Sequence, residues 1–386
     1  MSLRSVAVVG GGPVGLALGL SLQRAGIDCV VLDARTAAAA RNDRRVLALS
    51  HASCLTLQRL NAWNGIEATP IATIHVSQQG SLGRTLIRAA ELRLAALGHV
   101  APAGSVATAL AGACQAAGVE VRHDVLVERA DLRGDRIVLG CRGGDTAEIP
   151  ARLAAWADGR IDEGVGVVAR DYAQQAIVAQ VDTRGGHEQV AYERFCAAGA
   201  IALLPQDRGH AVVCSSSGET AAAWLADDDA GFLARLESAF CGRLRFDAVG
   251  ARQAFPLALR YRRGVVGTRA VWLGNAAQTL HPIAGQGFNL ALRDVTELAR
   301  RLRDQRAASG SGGDCGAARL LAGYAAARRA DRLGAIGFTD ALVRVFGVQS
   351  ALVSHARGAG LLALDLMPAA RRLLARHLIF GACNGS

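Results

Sequence analysis

The sequence predicts an α/β fold: a Rossmann-type parallel-sheet lobe, an antiparallel-sheet lobe inserted into it, and helices closing the carboxyl end. Three observations predict this. Near the amino end the apolar run Ser5–Val9 meets Gly10-Gly11-Gly12-Pro13-Val14-Gly15, then an Ala/Leu-rich helical stretch to Gly26 and a second apolar run that closes on Asp33. In the second half, Trp272 through Leu290 reads as a buried strand, a glycine-rich loop and a helix start. Between the two, the stretches 176–181 and 211–214 alternate in character, as strands of an antiparallel sheet do.

The first element is a complete βαβ dinucleotide fingerprint. Gly10 permits the tight turn, and Gly12 lets a pyrophosphate approach the helix amides beside Pro13 and Val14. Gly15 lets helix and strand pack closely, and Asp33, followed by Ala34, accepts from ribose hydroxyls. This fingerprint does not separate FAD from NAD. The second glycine-rich corner does, about 260 residues downstream, because only an extended FAD needs its flavin end held elsewhere.

In that corner Gly274, Gly285 and Gly287 remove side chains where a large ring must touch backbone. Pro282 and the backbone of Gly285-Gln286-Gly287 are expected to line the reactive face of that ring. From Phe288 and Asn289 onward, Ala291, Val295, Leu298 and Leu302 fall at helical spacing and bury one stripe. The helix's amino end would then stabilise negative charge on the reduced flavin. His281, before a proline, reads as a packing or hydrogen-bonding residue.

The expected organisation is a cofactor lobe from residues 1–70, 100–165 and 265–325, a substrate lobe from 71–99 and 166–264, and carboxyl-terminal helices over 326–386. Residues 305–316 read as a flexible loop. A chain of 386 residues with 51% hydrophobic content fits two lobes with real cores. No apolar run is long enough to span a membrane. With Gly10 so near the start, no secretory leader is expected, and the chain is expected in the cytoplasm.

Nine scattered cysteines show neither a C-x-x-C pair nor metal-ligand spacing, so free thiols and no metal are expected. All 43 of the Lys and Arg residues are arginine, which excludes a Walker A lysine, a lysine Schiff base with PLP and lysine-dependent flavin halogenation. The net charge of +10 is spread along the chain without aromatic interleaving, so no nucleic acid is expected.

Together, Gly10 to Gly15 with Asp33, Asp43-Arg44-Arg45 with the apolar run to Ser50, Ala157-Asp158-Gly159, and Gly274 to Asp294 resemble the class A flavoprotein aromatic hydroxylases. The stretch from Gly274 to Leu290 is most similar to the ubiquinone-biosynthesis branch, the 2-polyprenyl-6-methoxyphenol hydroxylases. Ala191-Tyr192-Glu193-Arg194-Phe195, Ala202-Leu203-Leu204-Pro205 and Tyr324 with Arg328 to Asp331 agree. The resemblance implies a para-hydroxybenzoate hydroxylase-like fold, bound FAD, NAD(P)H as co-substrate, and O2 delivered through a flavin C4a-hydroperoxide to the ring of a polyprenylated phenol.

Carried over by position, Arg45 would contact the ribityl or pyrophosphate region, and Asp158 would border the cofactor. Asn275 stands where most of the family has Asp, and its amide oxygen still accepts. Arg160-Ile161-Asp162-Glu163 departs from the family's usual run and leaves the nicotinamide contact there open. Leu203, Leu204 and Pro205, with Tyr172 and Arg194, are the substrate-side candidates. Two alternatives remain open: a hydroxylase of a soluble aromatic compound, or a non-catalytic flavoprotein subunit of a quinone-biosynthesis complex.

After Pro368, a basic amphipathic helix sets Leu373, Leu374, Leu378 and Ile379 near one face, with Arg371, Arg372 and Arg376 available to anionic headgroups. Reversible attachment to the cytoplasmic face of the inner membrane, or to a quinone-biosynthesis complex there, is the corresponding expectation.

Overall fold

The computed structural model describes residues 2–381, apart from 42, 44, 82, 145, 146, 163, 197, 198, 311, 312 and 349. Arg44, Glu163 and Cys383 therefore lie outside the described residues, as does the side chain of Leu378. The eight described cysteines are all free.

The first sheet grows from the fingerprint. Arg4–Val9 and Cys29–Leu32 pair in parallel, joined by the helix Pro13–Arg24. Glu148–Trp156 adds on one side of Arg4–Val9, and Ala270–Trp272 adds beyond it, both in parallel. Glu120–Arg122 extends the other edge. These central strands are apolar almost throughout because helices cover one face and the antiparallel strands Leu126–Arg133 and Arg136–Arg142 cover the other, and Val6, Ala7 and Val8 have no exposed surface.

The second sheet is mostly antiparallel. Val167–Thr183 pairs with Gly209–Ser217 so that Val178 faces Val213, which joins the two stretches whose alternation the sequence shows. Gly199–Gln206, Val190–Cys196, Thr73–Gln78 and Arg84–Arg88 follow outward. Gln253–Arg262 pairs on the other side of Val167–Thr183. Gln278–Thr279, from the range 265–325, adds to the edge of this sheet. Val46–Ser50, Thr69–Ile71 and Gly98–Pro102 form a small antiparallel sheet of their own.

Two sequence expectations about the helices need correction. The helix Gln286–Ser309 continues into the first five residues of the stretch read as a flexible loop, because the ion pairs of Arg300 with Glu297 and Asp304, and of Arg301 with Glu297, one turn apart, support its last turns. The last helices begin at Ala318, before the expected start at 326, and Ala318–Gly347 runs unbroken across the boundary at 325/326.

Candidate functional site

Four parallel strands end on the same side of the first sheet, and each is followed by a residue the sequence singles out: Gly10 after Val9, Asp33 after Leu32, Asp158 soon after Trp156, and Gly274 soon after Trp272. Backbone bonds carry the pairing past the strand ends, from Gly10 N to the Leu32 carbonyl (2.7 Å), Ala157 N to Val9 (2.7 Å) and Leu273 N to Trp156 (2.9 Å). Residues far apart in the chain thus meet outside the carboxyl ends of the strands, where open α/β sheets bind ligands.

One cavity of about 620 Å³ occupies this position and reaches the second sheet. Gly10, Gly12, Pro13, Val14, Asp33, Ala34, Arg45, Asp158, Gly274, Asn275, Gly287 and Phe288 all line it, as do Pro282 and Gly285.

The glycines divide by task. At Gly10 (φ 112°) a Cβ would sit 2.5 Å from the Ala157 carbonyl, and at Gly15 it would sit 1.8 Å from the Gly10 oxygen, so Gly15 serves packing and does not line the cavity. Gly12 is different. A Cβ there meets nothing nearer than the Arg35 guanidinium at 3.9 Å, so the space is left for a ligand. This open cradle at a helix start is the observation that fits a pyrophosphate.

Asp33, almost fully buried, accepts from the Arg35 backbone N–H (3.1 Å), Nε (3.1 Å) and Nη2 (2.9 Å). Arg35 also lines the cavity, a neighbour the sequence reading missed although it stands two residues on. Arg45 pairs with Asp43 through Nε at 2.9 Å. Burial raises the Asp158 carboxyl above its ordinary range, although the Arg160 N–H donates to it at 3.3 Å. Across from it, a Cβ at Gly159 would lie 3.9 Å from Asn275 Cβ, so the two cofactor loops touch.

Asn289 requires correction. It is buried and saturated: its amide donates to the Ala48 and Gly285 carbonyls (2.8 Å each), and its oxygen accepts from Ser50 N (2.8 Å) and Ser53 Oγ (2.7 Å). Asn289 therefore clamps the corner to Val46–Ser50 and does not line the cavity. Gln286 is likewise buried and outside the lining. Gly285 takes the left-handed conformation (φ 59°) with Ala48 Cβ 2.9 Å from where its own would be, whereas Gly287 has open space.

The substrate-side candidates are corrected by strand alternation. Leu204 lines the cavity, but Leu203 points the other way into the core with Ile177, Val212 and Phe232. Pro205 is outside the lining too, on the same face as Leu203. Arg194 is buried, donating to the Ala239 carbonyl, Ser77 Oγ (3.0 Å) and Cys241 Sγ (3.3 Å). Tyr172 donates to Asp340 at 3.0 Å and packs edge-on against His281, behind the lining. The wall is instead Ile74, Ala191, Glu193, Ala202, Leu204 and Val213, with Tyr192. Counting by twos from Leu204 finds Ala202, and the register across strands finds the rest.

His281 also lines the cavity. Its Nδ1 accepts from Ile283 N (3.2 Å), which leaves Nε2 to donate to Gln174 Oε1 (3.3 Å). Burial pushes it down to about 4, so it is a neutral hydrogen-bonding residue.

Behind the corner lies a buried ionic network. Arg328 bonds Asp294 and Asp331 (2.6 Å each), Arg332 donates to Gln278 Oε1 (2.6 Å) and to the Arg262 carbonyl, and Gln278 donates to Asp294 (3.2 Å). The helix Ala318–Gly347 thereby holds both the short strand Gln278–Thr279 within the corner and the helix leaving it.

This fold and this cavity define a flavoprotein, and the chain belongs to the family described as FAD binding domain, which matches residues 4–331. It is 34% identical to ubiquinone hydroxylase UbiL of Rhodospirillum rubrum, over 96% of this chain and 88% of that one. It is 30% identical to 3-demethoxyubiquinol 3-hydroxylase of Escherichia coli, over 76% and 78%. In fold it resembles the crystal structure of p-nitrophenol 4-monooxygenase PnpA from Pseudomonas putida DLL-E4, with TM-score 0.79 and 18% identity over 99% of both chains.

Proposed function

We propose that this protein is an FAD-dependent monooxygenase that hydroxylates the ring of a polyprenylated phenol in ubiquinone biosynthesis, using NAD(P)H and O2. One observation carries the reading: a single cavity joins the open Gly12 cradle and Asp33 to the Gly274–Phe288 corner and then to a largely apolar sheet wall. Bound FAD supplies the redox chemistry, and the protein supplies position, dryness and fixed dipoles.

In this reading the helix start after Gly12 takes the pyrophosphate, and Asp33, sharing its oxygens with Arg35, takes the ribose. Arg45, Asp158 and Asn275 border the ribityl chain. Pro282, Gly285 and Gly287 present backbone to the ring, and Ile74, Ala202, Leu204 and Val213 hold the phenol and exclude water. The test is to load the protein with FAD, supply NAD(P)H, O2 and a polyprenylphenol, and analyse the product by mass spectrometry. A ring carrying one added oxygen is expected. Failure to take up FAD, or NAD(P)H oxidation that yields only peroxide with every phenol tried, refutes the reading. Equal turnover of an unprenylated phenol favours a soluble aromatic substrate.

For access to a lipid-borne substrate we infer contact with a membrane surface. Among the described residues no helix is long and apolar enough to cross a membrane. The sequence expectation shifts in detail: Ile379 and Ala375 are buried against Ile87 and Leu97, and Arg371 is held by Glu91 (2.9 Å) and the Asp365 carbonyl. The preceding helix, Ala351–Leu366, offers a better face, with Leu352, Ala356, Ala359, Leu362 and Leu366 exposed at helical spacing beside exposed Leu373, Arg372 and Arg376. Flotation with anionic vesicles should be lost in a Leu352→Asp/Leu366→Asp variant. Equal flotation of both proteins, or none, overturns the membrane contact and leaves delivery to a partner protein of a biosynthetic complex.

A further inference from the structure

The cavity wall contains one carboxyl that neither the cofactor reading nor the packing uses. Glu193 lies in Val190–Cys196, and its neighbours in the sheet are Val76 on one side and Ala202 on the other, with Val213 next in the row. Every one of these is uncharged and unable to hydrogen-bond through its side chain. Ala191 and Phe195, two residues away on the same face, are apolar and buried. Among the described residues Glu193 has no hydrogen-bond or ion-pair partner, and what exposure it keeps is within the cavity it lines. A folded chain rarely leaves such a group without a partner, because a leucine there would pack at less cost. The site is also close to the flavin corner: Ile283, next to Pro282, packs with Phe195 and Val76, the residues that flank Glu193.

We propose that Glu193 receives the hydroxyl of the phenol substrate, first as hydrogen-bond acceptor and then as base. This rests on the reading of the cavity as a phenol site. The phenol O–H bond breaks toward the carboxylate, and its electron pair stays on oxygen and enriches the ring carbons ortho and para to it. The ring carbon gains one atom of the O2 that NAD(P)H and FAD reduce, then sheds its own hydrogen as a proton to restore aromaticity, and that proton leaves with the second oxygen atom as water. The phenolate then recovers the proton that Glu193 held, and the carboxylate is regenerated.

The electrostatics suit this. Burial pushes Glu193 up to about 7, which narrows the gap to a phenol at about 10 and makes a better proton acceptor than an ordinary glutamate. Other titratable groups facing the cavity do not compete. His281 is neutral with both nitrogens bonded, Asp33 is paired with Arg35 and Asp43 with Arg45, and Asp158 and Arg160 lie at the dinucleotide end. Tyr192 is held protonated by burial, and His75 and Arg194 alternate to the other face of their strands.

The test is binding to the FAD-loaded, oxidised protein, read by flavin absorbance, of geranylphenol and of its methyl ether, across pH values on either side of 7. In the native protein the preference for phenol over ether should rise about ten-fold as Glu193 ionises. The rise should vanish in Glu193→Gln, and the preference itself in Glu193→Leu, with FAD content unchanged and the melting temperature of Glu193→Leu equal or higher. A pH-independent preference in the native protein, or the same rise in Glu193→Gln, overturns the role of Glu193 while leaving the phenol site standing. Binding of neither compound overturns both. Loss of stability in Glu193→Leu identifies a structural carboxyl and refutes the proposal.

Discussion

Gly12→Val is predicted to abolish FAD binding while leaving the protein folded. Gly12 has φ −74° and ψ 178°, backbone that any residue adopts, and its nearest neighbour to a Cβ is Arg35 Nη2 at 3.9 Å, an ordinary van der Waals distance. In the absence of cofactor the substitution should therefore cost no more than about 0.5 kcal/mol, as surface changes do. With cofactor, the isopropyl group stands where a phosphate must reach the amides of Pro13–Arg24. FAD at about 100 times its Kd stabilises a protein by about 2.7 kcal/mol, and the variant should lose that whole increment. The control is Gly15→Ala, whose Cβ would meet the Gly10 oxygen at 1.8 Å, so helix and strand must separate at about 1–3 kcal/mol with or without FAD. The assay is flavin absorbance after desalting, with thermal unfolding in the presence and absence of FAD. Stoichiometric flavin in Gly12→Val, or wild-type unfolding in Gly15→Ala, refutes the division of labour between these glycines.

Other outcomes follow from the same geometry. Gly287→Val should fold and lower hydroxylated product per NAD(P)H oxidised, since its surroundings are open, whereas Gly285→Val should also lower the melting temperature because of φ 59° and Ala48. Product yield and melting curves measured on both variants check this, and equal behaviour of the two would count against it. His281 and His210 are both pushed down to about 4 by burial, so the unfolded chain binds protons that the folded one refuses. Their contribution is present above about 6.5 and is lost as pH falls toward 4, by about 3 kcal/mol each. Glu193, raised, acts in the opposite sense between about 4.5 and about 7, so urea unfolding against pH is best compared in a Glu193→Gln background. Arg328→Met should cost about 3–5 kcal/mol by stranding Asp294, and a melting temperature within error of wild type would remove the network's structural role.

The fingerprint and the distal corner were legible because glycine spacing at a strand-to-helix turn has few other uses, and both reach the cavity. What misled was side-chain direction. Leu203 and Leu204 are equally apolar, and only the register with Val190–Cys196 decides which one faces the cavity. Asn289 sits among ligand-like residues, yet three of its four hydrogen bonds are made with backbone and serine groups about 240 residues earlier in the chain. Glu193 stands inside a family-like segment, but nothing local in Tyr-Glu-Arg-Phe says that Arg194 turns away to Ser77 and leaves the carboxylate alone.

The bonds from Arg328 and Arg332 to Asp294 and Gln278 also set an order of assembly. The strands and helix of the amino-terminal fingerprint are complete within the first few dozen residues synthesised, so a nascent chain has one end of the cofactor site early. The other end gains its buried anchors, Arg328 to Asp294 and Arg332 to Gln278, only when the helix Ala318–Gly347 docks. Flavin capture is therefore an event of the finished chain. A chain truncated before that helix should keep the dinucleotide end but lose the tie on the flavin corner, the part a protease would find first.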